Sequence, residues 1–192
     1  TTGGAGAWSC IQNFGGCSGC GICTPDGQTA FIAPYTLDAN NPSIMYAGSK
    51  WVYKNPSAPT GATWTQISPD LVGTAYDNIV NIHSAPNGGV AGTLWATTLN
   101  GKVWVTTDNA ANWTDTTRTP LPSNPVLPNR AATWVTTQPG DGTRAIVVFS
   151  GWNGSGSQPG HVFRTLDRGA TWTDISGALP DEPVFTVTVD PN

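Results

Sequence analysis

Charge is what this chain has least of. Only 10% of its 192 residues are Asp, Glu, Lys or Arg, against roughly 25% in an average soluble domain. The eight basic residues form no cluster and the net charge is −4. Gripping phosphates takes several cations on one face, so nucleic acid is excluded as a partner, and an anionic membrane surface with it. Long apolar runs are missing too: the best, Ala145 to Phe149, falls far short of the roughly 18–20 residues that span a bilayer. There is one methionine, Met45, and no initiator Met or secretory leader pattern precedes Thr1, so the start reads as processed or cut. No segment carries helical periodicity.

Tryptophan, glycine and proline are abundant, at 9, 23 and 16 residues. So many indoles in short β-prone segments argue for a packed core and against disorder. The indoles also reveal a repeat. Thr165-Leu166-Asp167-Arg168-Gly169-Ala170-Thr171-Trp172-Thr173 aligns with Thr106-Thr107-Asp108-Asn109-Ala110-Ala111-Asn112-Trp113-Thr114. Degenerate copies run from Ser57 through Gly61 to Trp64, and from Thr1 to Trp8. The intervals between these Trp residues are 56, 49 and 59, a period suited to a four-stranded propeller blade.

Each interval repeats the same strand content. First strands are expected at Thr29–Ala33, Ile79–His83 and Ala132–Thr136, second strands at Ile44–Ala47, Thr93–Thr97 and Ala145–Phe149. Third strands follow at Trp51–Lys54, Val103–Thr106 and His161–Thr165, and a Trp-containing fourth closes each set. In the repeated motif the Asp carboxylate and Ser/Thr hydroxyl can accept backbone N–H groups of a hairpin, Gly tolerates positive φ, and the Trp ring pins the hairpin down.

The segment Thr165 to Trp172 resembles the Asp-box (BNR) motif of sialidases, xyloglucanases, sortilin-type receptors and bacterial BNR-repeat proteins. The resemblance implies an all-β propeller of four-stranded antiparallel blades. It departs from the pattern at Ala110, where Gly is usual, and at Pro59 and Gly3, where Asp is usual. The organisation expected is 1–28 as the end of one blade with a Cys-rich loop, then blades 29–74, 75–126 and 127–182, then 183–192 as the first strand of another. Closed rings need four to eight blades, so the chain is expected to be a fragment completed by further blades of a longer chain, the alternatives being that its two half-blades pair into a fourth or that other copies complete the ring.

Thr106, Asp108, Trp113, Thr165, Asp167, Gly169, Trp172, Gly61, Trp64 and Trp8 are read as structural. Ligand-binding candidates come from the loops on the opposite face: Trp152 and Asn153 as a sugar-stacking platform, with Asp77, Asp181 and Glu182 as carboxylates the repeat does not explain. For Trp152 the preferred reading is that it covers the blade beneath it. Asp77 and Asp181 are the candidate pair for glycoside hydrolysis, which needs carboxylates roughly 5–10 Å apart, although solvated-loop roles are preferred. The arginine cluster and Phe/Tyr-Arg-Ile-Pro motif of sialidases have no counterpart. His83 and His161 lack a partner at metal or nucleophile spacing and are read as packing or surface residues.

Cys10, Cys17, Cys20 and Cys23 share one Gly-rich loop. Two disulfides in an oxidising compartment are the favoured reading, with structural zinc, iron–sulfur ligation and free thiols as alternatives. No cofactor or metal is assigned, and no catalytic residue. The function expected is a non-catalytic extracellular recognition or structural propeller, secreted, periplasmic or at the cell surface, with a glycan or protein ligand. The alternative is a fragment of a xyloglucanase-like glycoside hydrolase.

Overall fold

The computed structural model describes residues 32–58, 63–73, 77–86, 92–117, 127–152 and 160–190. Twelve strands and no helix occur among them. The first sheet holds β1 (Tyr35–Leu37), β2 (Met45–Gly48), β3 (Val52–Asn55) and β4 (Thr65–Gln66). The second holds β5 (Ile79–Ser84), β6 (Leu94–Thr98), β7 (Val103–Thr106) and β8 (Thr114–Asp115). The third holds β9 (Ala132–Gln138), β10 (Asp141–Phe149), β11 (Val162–Thr165) and β12 (Thr173–Asp174). Each sheet pairs its strands in chain order, antiparallel throughout, as the fourfold strand content of each repeat predicts.

Sheets pack side by side through their first strands: β1 and β2 against β5, and β5 and β6 against β9. The middle blade is covered on both faces, so all five residues of β6 are buried, Thr97 and Thr98 with Trp95. One core joins Trp95, Val103 and Val105 of the second blade to Val135, Val147, Phe149, Phe163 and Trp172 of the third. Gly142 permits this approach: a Cβ there would fall 2.8 Å from Ala85 Cβ.

Three details differ from expectation. The first strand is Tyr35–Leu37, not Thr29–Ala33, of which residues 29–31 lie outside the described set. Pro34 has no N–H and contributes only its carbonyl, to Gly48 N–H at 3.0 Å, so the ladder starts after it. The Trp residues directly precede the fourth strands instead of lying in them, and the Trp113 and Trp172 rings reach into the preceding blade. Finally, Phe185–Val189 forms no strand among the described residues. Its neighbour Val184 instead donates to the Phe149 carbonyl at 3.2 Å and accepts Thr133 Oγ1–H at 2.7 Å.

Candidate functional site

The β7–β8 and β11–β12 hairpins are superimposable in their bonding. Thr106 Oγ1 donates to Asp108 Oδ1 at 2.9 Å and accepts Ala110 N–H at 3.1 Å. Thr165 Oγ1 donates to Asp167 Oδ1 and accepts Gly169 N–H, both at 2.8 Å. Asp108 also receives the backbone and side-chain N–H groups of Asn112 at 2.9 and 2.7 Å. Asp167 receives the Thr171 N–H at 2.8 Å and hydroxyl at 2.6 Å. Bonds from Asn112, then Thr106, hold the Asp108 carboxyl below its ordinary range. At Asp167 partial burial pushes upward, but the Thr171 and Thr165 bonds outweigh it. Both carboxylates are saturated within their own hairpins and have little acceptor capacity left for a ligand.

The Trp rings close these hairpins onto neighbours. Trp113 Nε1–H donates to the Ile67 carbonyl at 3.0 Å and Trp172 Nε1–H to the Thr116 carbonyl at 3.1 Å. Each acceptor is the third residue after the Trp of the preceding blade. The fourth residue after each Trp is a hydroxyl that caps the start of the third strand: Ser68 accepts Val52 N–H (2.8 Å), Thr117 accepts Val103 N–H (2.8 Å) and Ser176 accepts Val162 N–H (3.0 Å). The sequence reading missed this second signature, Trp-Thr-x-x-Ser/Thr, although it is visible in all three copies. Trp64, which is half-buried, sets its ring 6.3 Å from Tyr35. Trp8, Gly61, Asn153 and all four cysteines lie outside the described residues.

The opposite face gathers the β6–β7 turn and the segments that leave β4, β8 and β12. A groove of 480 Å³ opens there, lined by Val72, Leu99, Asn100, Lys102, Asp115, Thr117, Asn129 and Arg130. Lys102 places its ammonium 5.6 Å from the Trp104 ring centre, a cation–π contact that orients it. Asp115 is exposed, and its Oδ1 accepts Thr117 N–H at 2.9 Å and the Thr117 hydroxyl.

Beside the groove, Arg130 donates to the Gly160 carbonyl at 2.7 Å and meets His161 Nδ1 at 3.3 Å. His161 is 2% exposed and its Nε2 lies 2.9 Å from Asp181 Oδ1. This corrects the reading of His161 as lacking a carboxylate partner. Asp181 lies 20 residues along the chain, and the loop after β12 folds it back over the start of β11, a return no motif spacing announces. Asp174 braces the same region by accepting Gly160 N–H at 2.8 Å.

Asp77 is not a solvated loop residue. It is fully buried, its Oδ1 accepting Asn78 N–H at 2.8 Å and Asn100 N–H at 2.9 Å. Burial raises its carboxyl above the usual range, against the lowering effect of those bonds, Thr98 and Lys102. Asp77 and Asp181 therefore serve separate networks, one inside the second blade and one bound to His161. Glu182 is exposed, and its backbone N–H bonds the Pro180 carbonyl. Trp152 does not cover the blade beneath it: it is 69% exposed. It follows Gly151, whose φ of +83° sets the chain against Arg130, 3.3 Å from where a Cβ would stand.

The class this architecture defines is the β-propeller of four-stranded antiparallel blades. Among solved structures the chain is similar to an ancestral GH74 enzyme, with a TM-score of 0.52 and 19% identity over 79% of this chain and 19% of that one. It is also similar to the GH74 xyloglucanase from Xanthomonas campestris (TM-score 0.48, 16% identity, 72% of this chain and 20% of that one). A third is the GH74 enzyme of Niastella koreensis (TM-score 0.49, 20% identity, 72% and 21%). This chain spans about a fifth of the length of each. The first likeness shows the fold. No family model matches the chain, and no curated protein sequence does.

Proposed function

We propose that this chain is a section of an extracellular β-propeller that binds a glycan on the face opposite its Asp-box hairpins. The observation that carries the reading is Trp152, an indole 69% exposed and next in the chain to Gly151, which abuts Arg130 of the groove that Asn100, Asn129, Thr117 and Asp115 also line. An exposed ring offers a flat apolar face to a sugar ring, while the Asn100 and Asn129 amides match its hydroxyl groups. A surface so poor in charge suits an extracellular setting, and the cysteine loop is proposed to be disulfide-bonded there. Further blades, in the same chain or in other copies, are the proposed partners.

Binding without catalysis is the preferred form, because Asp115 is engaged in its own turn and Asp181 with His161. A second reading is a section of a GH74-like glycoside hydrolase. Its support is that the similar structures are GH74 enzymes, one of them a xyloglucanase. Calorimetric titration with soluble polysaccharides, alongside a reducing-end assay, tests both. Binding that drops about tenfold in Trp152→Ala, with no reducing ends released, supports the recognition reading. Release of reducing ends that is lost in Asp181→Asn supports the hydrolase. Unchanged affinity in Trp152→Ala overturns the role given to the indole.

A further inference from the structure

We infer that the groove selects acidic glycans, those bearing uronate carboxylates, and that Lys102 is the residue that selects them. The inference rests on the glycan-binding reading above and adds to it the ligand's charge.

The groove is flanked by two cations, Lys102 and Arg130, in a chain with only eight basic residues and a net charge of −4. They are not equivalent. Arg130 is tied to Gly160 and His161 and shares its charge with Asp181 and Asp174. Lys102 has no carboxylate within ion-pair distance among the described residues. Asp77 feels its charge from inside the blade, yet is sealed off by burial. Asp115, the carboxylate lining the groove, points its Oδ1 into its own turn. The ammonium is nevertheless held in place, over the Trp104 ring on one side and beside Gly73 on the other, where a Cβ would lie 3.6 Å from Nζ. Lysine normally loses much side-chain freedom when it pairs. Here the ring and the short β6–β7 turn, with Gly101 at φ +82°, already restrict it.

A cation that is oriented, without an ion-pair partner among the described residues and set in a polar groove is matched by an anion small enough to enter it. A hexuronate carboxylate meets that requirement while its ring lies beside the Asn100 and Asn129 amides. Neutral sugars would leave the ammonium without a partner, and a sulfate- or phosphate-rich polymer would call for more cations than the two that line the groove among the described residues.

The test uses the full chain, an oligogalacturonide, and its methyl ester, which keeps the sugar backbone and removes the charge. Calorimetry should find the acid bound about tenfold or more tightly than the ester, the size of a charge-assisted hydrogen bond. Lys102→Gln should erase that difference by weakening the acid alone, with thermal melting confirming an intact fold. Equal binding of acid and ester overturns the inference and leaves the glycan reading standing, as does an unchanged preference in Lys102→Gln. A poly-aspartate peptide bound as tightly as the uronide overturns it as well, because the groove would then read carboxylates and not sugars. Absence of binding by every glycan tried overturns it together with the reading beneath it.

Discussion

Trp172 and Trp95 tie the second and third blades together in opposite directions. Trp172, on the third blade, donates its Nε1–H to the Thr116 carbonyl of the second. Trp95, on the second, donates to the Gly142 carbonyl of the third at 3.2 Å. The rings meet edge to face, 6.1 Å apart at 72°. Each indole thus supplies apolar area and also satisfies a carbonyl that the blade boundary would otherwise bury.

Trp172→Phe should keep most of the ring contact and lose the bond to Thr116, costing about 1–2 kcal/mol. Trp172→Ala should cost roughly 3–5 kcal/mol. Urea denaturation of both variants checks the ordering. Equal losses would mean that the indole N–H contributes nothing.

Ala110 occupies the place that Gly169 holds in the other hairpin, and both are left-handed, at φ 69° and 81°. A Cβ pays a steric penalty there that glycine escapes. Ala110→Gly should therefore stabilise the protein by about 1 kcal/mol, despite glycine's greater freedom in the unfolded chain. A melting temperature at or below wild type would count against the strain.

Burial raises the Asp77 carboxyl above its usual range and so disfavours its charged form. Asp77→Asn keeps an oxygen for Asn78 and Asn100 and cannot ionise, so its melting temperature should equal or exceed that of wild type. Asp77→Ala strips both N–H groups of their acceptor and should lose about 1–3 kcal/mol. Differential scanning calorimetry separates the two outcomes.

His83, on β5, has its Nε2 2.9 Å from Thr137 Oγ1 and accepts Thr137 N–H at 3.3 Å, across to β9. Burial pushes its pKa down from 6.5 to about 4. Above pH 7 the ring is neutral in both folded and unfolded chains and contributes no pH dependence. Between about 6.5 and 4 the unfolded chain binds a proton that the folded chain refuses, so stability falls as pH falls, by up to roughly 3 kcal/mol. His83→Gln should flatten that window. The lowered carboxylates Asp108, Asp141, Asp167 and Asp174 lose their contribution lower on the scale, as pH falls below the ordinary carboxyl range. Urea midpoints measured from pH 7 to 4 check the difference between variant and wild type.

Much of this architecture is written locally. A meander blade is built from neighbouring strands joined by short turns, so Trp spacing, Gly and Pro placement and the Thr-x-Asp boxes announced the three sheets and their order. Strand boundaries were legible to a few residues, and slipped where one residue altered the ladder, as Pro34 did. The candidate site was far less legible. His161 and Asp181 meet because a loop folds back 20 residues, and Trp172 finds Thr116 56 residues away. Asp77, by its sequence a loop carboxylate, is sealed inside the second blade, while Trp152 stands in solvent. Burial and partnership arise where one blade lies on the next. They depend on twist, register and the direction each side chain leaves its strand, and those are settled only when the sheets pack against one another.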